Sequence, residues 1–120
     1  MQRYILILED DKTQMRNYER AWRETTTDIG VFRANDLVAA QEYYDIYKSE
    51  IVGMIIDGAV PGGFLTTIPF IQTVRADGFS GFMVAASTRE DYRKTMVQYG
   101  CTYECEKRHA VKALASLLDL

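Results

Sequence analysis

Apolar and polar positions fall in blocks along this chain. Tyr4–Leu8 is an unbroken apolar run that stops at Glu9-Asp10-Asp11, and Ile51–Ile56 is a second, broken only by Gly53, that stops at Asp57. Apolar runs this short, bounded by polar or turn residues, predict strands buried on both faces of a parallel sheet. Between them, Met15, Tyr18 and Trp22 recur at the spacing of one helical face. Asp11 followed by Gln14 resembles a capping box and predicts Asp11 as the N-cap of that helix, which leaves Glu9 and Asp10 free at the strand end.

The alternation continues to the end of the chain. Gly30–Ala34 reads as a second strand, and Asp36 then caps a helix whose face carries Ala40, Tyr43, Tyr44 and Tyr47. After the strand ending at Asp57 comes the turn Gly58–Gly63, then a third helix with Thr67 as cap and Pro69 in its first turn, where proline is tolerated. Gly81–Ala86 is the fourth strand, and Ser87 with Glu90 predicts a capping box for a helix that Gly100 stops. Tyr103–Lys107 reads as a short fifth strand, followed by a helix with Val111, Leu114, Ala115 and Leu118 on one face. His109, the only histidine, flanks that last helix. Five strand-helix units predict an α/β fold, one five-stranded parallel sheet with helices on both faces, over a single domain at 1–120. Ligands in such sheets bind beyond the carboxyl ends of the strands, at the topological switch point. Glu9, Asp10, Asp57 and Lys107 all fall at that edge.

Composition narrows the classes. A net charge of −3 with no basic run argues against direct nucleic-acid binding by this domain. No apolar run approaches the ~18 residues of a membrane span, and the first residues lack the apolar core of a secretory signal, so a cytoplasmic setting is expected. Cys101 and Cys105, four apart in an expected strand, would have Cα atoms ~13 Å apart, too far for a disulfide. Two thiols without a histidine cluster are also a poor zinc site, so both are expected as buried, reduced thiols.

Carboxylates gathered at one sheet edge repel one another unless a cation sits among them. Ile5–Asp10, then Ile55-Ile56-Asp57 with Pro61 four residues on, then Lys107 after the last strand, resembles a response-regulator receiver domain of two-component signalling, somewhat atypical in detail. The resemblance spans the whole chain and implies a flavodoxin-like (βα)5 fold. It implies Asp57 as the phosphoacceptor, charged by a histidine kinase or histidine phosphotransfer protein. It further implies Mg²⁺ held by Asp10, Asp57 and the backbone carbonyl of Ala59, with Glu9 acting through a water, and Lys107 on the phosphoryl oxygens. Oxygen ligands in small number suit Mg²⁺, which keeps several waters. A carboxylate nucleophile yields an acyl phosphate that hydrolyses again, which suits a reversible mark read by a downstream protein partner or output domain rather than an enzyme of external substrates.

The chain also departs from the receiver pattern. Receivers end their fourth strand in a Thr or Ser that engages the phosphoryl group. Aligning Gly100 and Lys107 puts Ala85 there; counting forward from Asp57 puts Ser87 there. The position three before the lysine, aromatic in the family, is Glu104, with Tyr103 one residue earlier. The proline after the lysine is Arg108, and the glycine expected four residues after Pro61 is Leu65, within an insertion around Phe64 to Thr67. A hydrogen bond to a charged group contributes ~1.5–3 kcal/mol, against the roughly 5.5 kcal/mol that carries a two-state switch from one side to the other. Alanine at the switch position would therefore weaken the readout.

Two other readings remain open at this point. Ala85, Glu104 and Arg108 fit a receiver-like interaction module that works without phosphorylation. An aspartyl phosphatase would need a second Asp two residues after its nucleophile, where Ala59 stands.

Overall fold

The structure is a computed structural model that describes residues 2–120. Its elements run β1 (Arg3–Leu8), α1 (Lys12–Thr25), β2 (Ile29–Ala34), α2 (Leu37–Tyr47), β3 (Ile51–Ile56), α3 (Ile68–Ala76), β4 (Phe82–Ala86), α4 (Glu90–Gln98), β5 (Tyr103–Cys105) and α5 (Ala110–Leu117), with a 3-10 turn at Lys107–His109 before α5. The strands form one sheet in the order β2-β1-β3-β4-β5, every neighbouring pair parallel. This is the doubly wound α/β fold expected from the block pattern. The strand order reverses between β1 and β3, so the residues leaving those two strands meet at the switch point.

Strand alternation divides the core. Ile5, Ile7, Ile55, Val84 and Ala86 pack against Met15, Tyr18 and Trp22 of α1 and Val111, Leu114 and Ala115 of α5. Leu6, Leu8, Met54, Ile56, Met83 and Ala85 face α2, α3 and α4 on the other side. Trp22, fully buried, satisfies its indole N–H on the Ile29 carbonyl at 2.9 Å. The tyrosines of α2 divide as well. Tyr44 is buried in the core, whereas Phe32 stacks with Tyr43 at 4.8 Å and with Tyr4 at 4.1 Å and meets Tyr47 tilted at 4.5 Å. Cys101 is buried and Cys105 half-buried, and both are free thiols. Burial pushes the Cys101 thiol up to about 12. No helix among the described residues is long and apolar enough to cross a membrane.

Asp11 and Asp36 cap α1 and α2 as expected, accepting the N–H of Gln14 and of Ala39, each at 2.8 Å. Three local expectations are corrected. Thr67 stands at the N-cap of α3, but its hydroxyl is drawn away to the Gly58 carbonyl at 3.2 Å. The box of Ser87 with Glu90 does not form; α4 is capped two residues later by Arg89, whose N–H binds Ser87 Oγ at 3.2 Å. The fifth strand ends at Cys105, because Lys107 already belongs to the 3-10 turn.

The end of the sheet remote from the acidic cluster is held by one side chain. Arg75, at the end of α3, donates from Nε to the Gly100 carbonyl at 2.9 Å and from Nη1 to the Phe79 and Gly81 carbonyls, each at 2.8 Å. Its Nη2 reaches Thr102 Oγ1 at 3.2 Å. Gly100 lies at φ +135°, where L side chains are strained, and a Cβ there would meet Arg75 Cγ at 2.8 Å. Arg75→Ala leaves three carbonyls without their donor, and we expect a loss of about 3 kcal/mol or more in urea unfolding. Arg75→Lys should recover only part of it, because an ammonium cannot reproduce the guanidinium fork.

Candidate functional site

The carboxyl ends of β1, β3 and the β5-α5 junction deliver the charged residues. Glu9 N–H bonds the Ala34 carbonyl at 3.0 Å and Asp57 N–H bonds the Leu8 carbonyl at 3.0 Å, so both residues continue the strand ladders by one step. Their side chains, with Asp10, bring carboxylate oxygens within 4.8 Å of one another. Lys107 enters from the 3-10 turn with Nζ 2.8 Å from Glu9 Oε1 and 3.2 Å from Asp57 Oδ2.

These residues line one open cavity together with Asp11, Ala59, Gly62, Gly63, Ser87, Thr88 and Arg89. Glu9 is fully buried and Asp57 nearly so, while Asp10 is the most open of the three. Asp10 Oδ2 accepts the Gly62 N–H at 3.1 Å, which ties the loop after β3 to the loop after β1. Within that loop, Thr66 Oγ1 bonds both the N–H and the carbonyl of Val60 at 2.9 Å, so the insertion folds back on itself beside the cavity.

The cavity carries an excess of negative charge. Three carboxylates face one ammonium. Burial pushes the Glu9 carboxyl above its ordinary range; Lys107 and the Asp11 N–H oppose this and Asp57 adds to it. Burial alone would lower the Lys107 ammonium, but the Glu9 and Asp57 carboxylates outweigh it and hold the lysine charged. Glu9 Oε2 accepts the Asp11 N–H at 3.1 Å, and Oε1 faces the Lys107 ammonium at 2.8 Å. The field reaches the core. The buried Tyr18 hydroxyl has no partner, and burial, then the charges of Glu9, Asp57 and Cys105, push its pKa upward.

The donor set fits Mg²⁺. It offers hard oxygens only, with a spacing close to the about 4.2 Å that opposite ligands of one Mg²⁺ span.

Of the two sequence positions considered for a wall hydroxyl, Ser87 lines the cavity, and Ala85 lies in the core on the α2-α3-α4 side of the sheet. Ser87 is buried, and its Oγ accepts the Arg89 N–H, which leaves the hydroxyl proton available to another acceptor. Glu104 stands away from the cavity, with Oε1 bound by Arg93 Nε at 3.1 Å. Arg93 Nη1 also donates to the Ser87 carbonyl at 2.9 Å. The Arg93 contacts are not legible in the sequence, because they are made across elements. Arg89 sits at the cavity rim with its guanidinium doubly bonded to Asp91 and 4.3 Å above the Tyr92 ring.

Lys107→Met should expose the charge balance. A carboxyl whose folded pKa is raised gives stability that is present below its unfolded value, near 4.5 for Glu9, and lost as pH rises through the folded value. The variant should therefore lose about 3 kcal/mol relative to the wild-type chain at about pH 8, and less at about pH 5. Urea midpoints at the two pH values check this, and equal losses would exclude the buried carboxylate as the cause.

No family model matches the chain, and no curated protein matches it. Solved structures do. The signal receiver domain of a DNA-binding response regulator from Colwellia psychrerythraea superposes with a TM-score of 0.80 at 15% identity, covering 98% of this chain and 99% of that one. The receiver domain of Francisella response regulator 1452 gives 0.74 at 16% identity, covering 98% and 93%. A response regulator receiver protein from Pseudoalteromonas atlantica gives 0.75 at 12% identity, covering 97% of each. With its acidic edge at the β1/β3 switch point and a lysine after β5, the chain has the fold of response-regulator receiver domains.

Proposed function

We propose that the chain is a receiver that accepts a phosphoryl group on Asp57 from a histidine kinase or histidine phosphotransfer protein and relays the signal by protein-protein contact. The observation that carries this reading is the meeting of Asp57 with Lys107 at 3.2 Å inside a set of carboxylate oxygens within 4.8 Å of one another. Asp10, Asp57, the Ala59 carbonyl and Glu9, the last through a water, would hold Mg²⁺. When bound, the ion supplies counter-charge to the phosphoryl oxygens.

The chain's own residues do the rest. An Asp57 oxygen attacks phosphorus; the new O–P bond forms as the P–N bond of the donor breaks, and the electron pair leaves on the donor's imidazole nitrogen. Lys107, already beside Asp57 Oδ2, turns its ammonium to the incoming phosphoryl oxygens. Ser87 donates its free hydroxyl proton to one of them, a charge-assisted bond. The resulting acyl phosphate is hydrolysed in turn, so the mark is reversible and no external substrate is turned over. The setting is cytoplasmic, where phosphodonor proteins and Mg²⁺ are available.

Mg²⁺ with acetyl phosphate should add one phosphoryl mass by intact mass spectrometry, and Asp57→Asn should abolish it. Ser87→Ala should lower the rate of labelling by about tenfold, the loss of one hydrogen bond to a charged group. Millimolar Mg²⁺ should raise the melting temperature of the wild-type chain, since a ligand of the folded state stabilises it, and Asp10→Asn should reduce that rise. An adduct that persists in Asp57→Asn sinks the assignment. Absence of any adduct in the wild-type chain leaves the phosphorylation-independent interaction module as the better reading.

A further inference from the structure

The insertion after Pro61, which sets this chain apart from the receiver pattern, stands at the cavity mouth and has no part in the site chemistry. Its two apolar residues have opposite fates. Leu65 is partly buried and packs against the core on the α2-α3-α4 side of the sheet. Phe64 is 79% exposed, more than any other large apolar side chain among the described residues. A single exposed aromatic is ordinary on a protein surface, so its mounting and its place decide whether it has a task.

The mounting is firm. Thr66 N–H bonds the Gly58 carbonyl at 2.9 Å, and Thr66 Oγ1 bonds both the N–H and the carbonyl of Val60. On the other side, the Gly63 carbonyl accepts the Tyr92 hydroxyl of α4 at 3.3 Å, and Asp10 holds the Gly62 N–H. The backbone is thus tied before and after Phe64, so the ring is already presented and little ordering is needed on docking. The place is equally defined. Gly62 and Gly63, just before Phe64, line the phosphoacceptor cavity. From Gly58 to Val74 no residue is charged, whereas the rest of the mouth carries Asp10, Asp11 and Arg89.

Phosphoryl transfer brings a second protein to this mouth. The donor's P–N bond breaks as the O–P bond to Asp57 forms, so phosphorus must come within about 3–3.5 Å of an Asp57 oxygen. Asp57 is nearly buried, and the donor surface around its histidine therefore closes over the rim, Phe64 included. We infer that Phe64 is the apolar anchor for a protein phosphodonor, received between apolar side chains that flank the donor's phosphohistidine. This rests on the phosphoacceptor reading of Asp57. A small phosphodonor enters the cavity without engaging the loop, so the anchor favours protein donors over small ones.

The test compares two donors on the wild-type chain, Phe64→Ala and Phe64→Leu. One donor is acetyl phosphate with Mg²⁺. The other is the protein that labels the wild-type chain fastest among the histidine kinases and histidine phosphotransfer proteins of its source, each carrying radiolabelled phosphohistidine. Both substitutions fall on an exposed side chain and leave the core intact. Phe64→Ala should slow transfer from the protein donor by about tenfold or more at limiting acceptor, as truncation of an interface anchor does. Phe64→Leu should lie between the two, and acetyl phosphate should label all three equally. An equal loss with both donors, or no loss with the protein donor, overturns the inference while the reading of Asp57 stands. So does failure of every protein donor on a wild-type chain that acetyl phosphate labels. Sedimentation velocity tests the second-copy alternative: a wild-type dimer that Phe64→Ala dissociates assigns the ring to another copy, and the inference falls. If neither donor labels the wild-type chain, the phosphoacceptor reading fails and takes the inference with it.

Discussion

Everything at the carboxyl edge of the sheet depends on the repulsion among Glu9, Asp10 and Asp57 and on the single ammonium that offsets it. Lys107 reaches two of the three carboxylates, and two negative charges remain in excess. Glu9 is the costly member, because it is fully buried and its carboxyl is pushed upward by that burial. A fold does not gather such groups for stability, since buried ion pairs are often no better than apolar packing. On the proposed reading, a divalent cation would offset the two charges left in excess.

The surroundings of that edge are stiff where the chemistry needs precision. Asp11, capping α1, and Gly62, bonding Asp10, fix the two loops that carry the acids. Two arginines act as staples at opposite ends of the β4-β5 half of the sheet. Arg75 joins α3, β4 and the segment before β5 at the remote end, and Arg93 joins α4, β4 and β5 at the cavity end. Planar donors suit this task because one rigid group satisfies several carbonyls at once. The difference is position: only the second staple touches a residue of the cavity.

The departure at position 104 acquires a physical meaning from this. Glutamate in place of an aromatic residue looks like the loss of a packing switch when only the chain order is considered. In the fold, the carboxylate has a partner supplied by α4. The two positions considered for a wall hydroxyl lie apart: Ala85 packs in the core toward α2, α3 and α4, and Ser87, just past the end of β4, lines the cavity. The register of Ile56 with Ala85 places the end of β4 next to Asp57.

The sequence alone determined the order of strands and helices, the two caps at Asp11 and Asp36, and the membership of the acidic edge. Those features are local: burial on both faces of a strand, helical periodicity and a side chain reaching its own helix end leave their mark within a few residues. It did not determine the cap of α4, the hydroxyl at the cavity, or the Arg93 bridge. Each of these required knowing which strand ends lie side by side, because Arg93 and Glu104 meet across two elements and Ser87 prefers a bond to the Arg89 N–H over starting the helix itself. Contacts between elements carry no periodic signal, so only the packed sheet decided them.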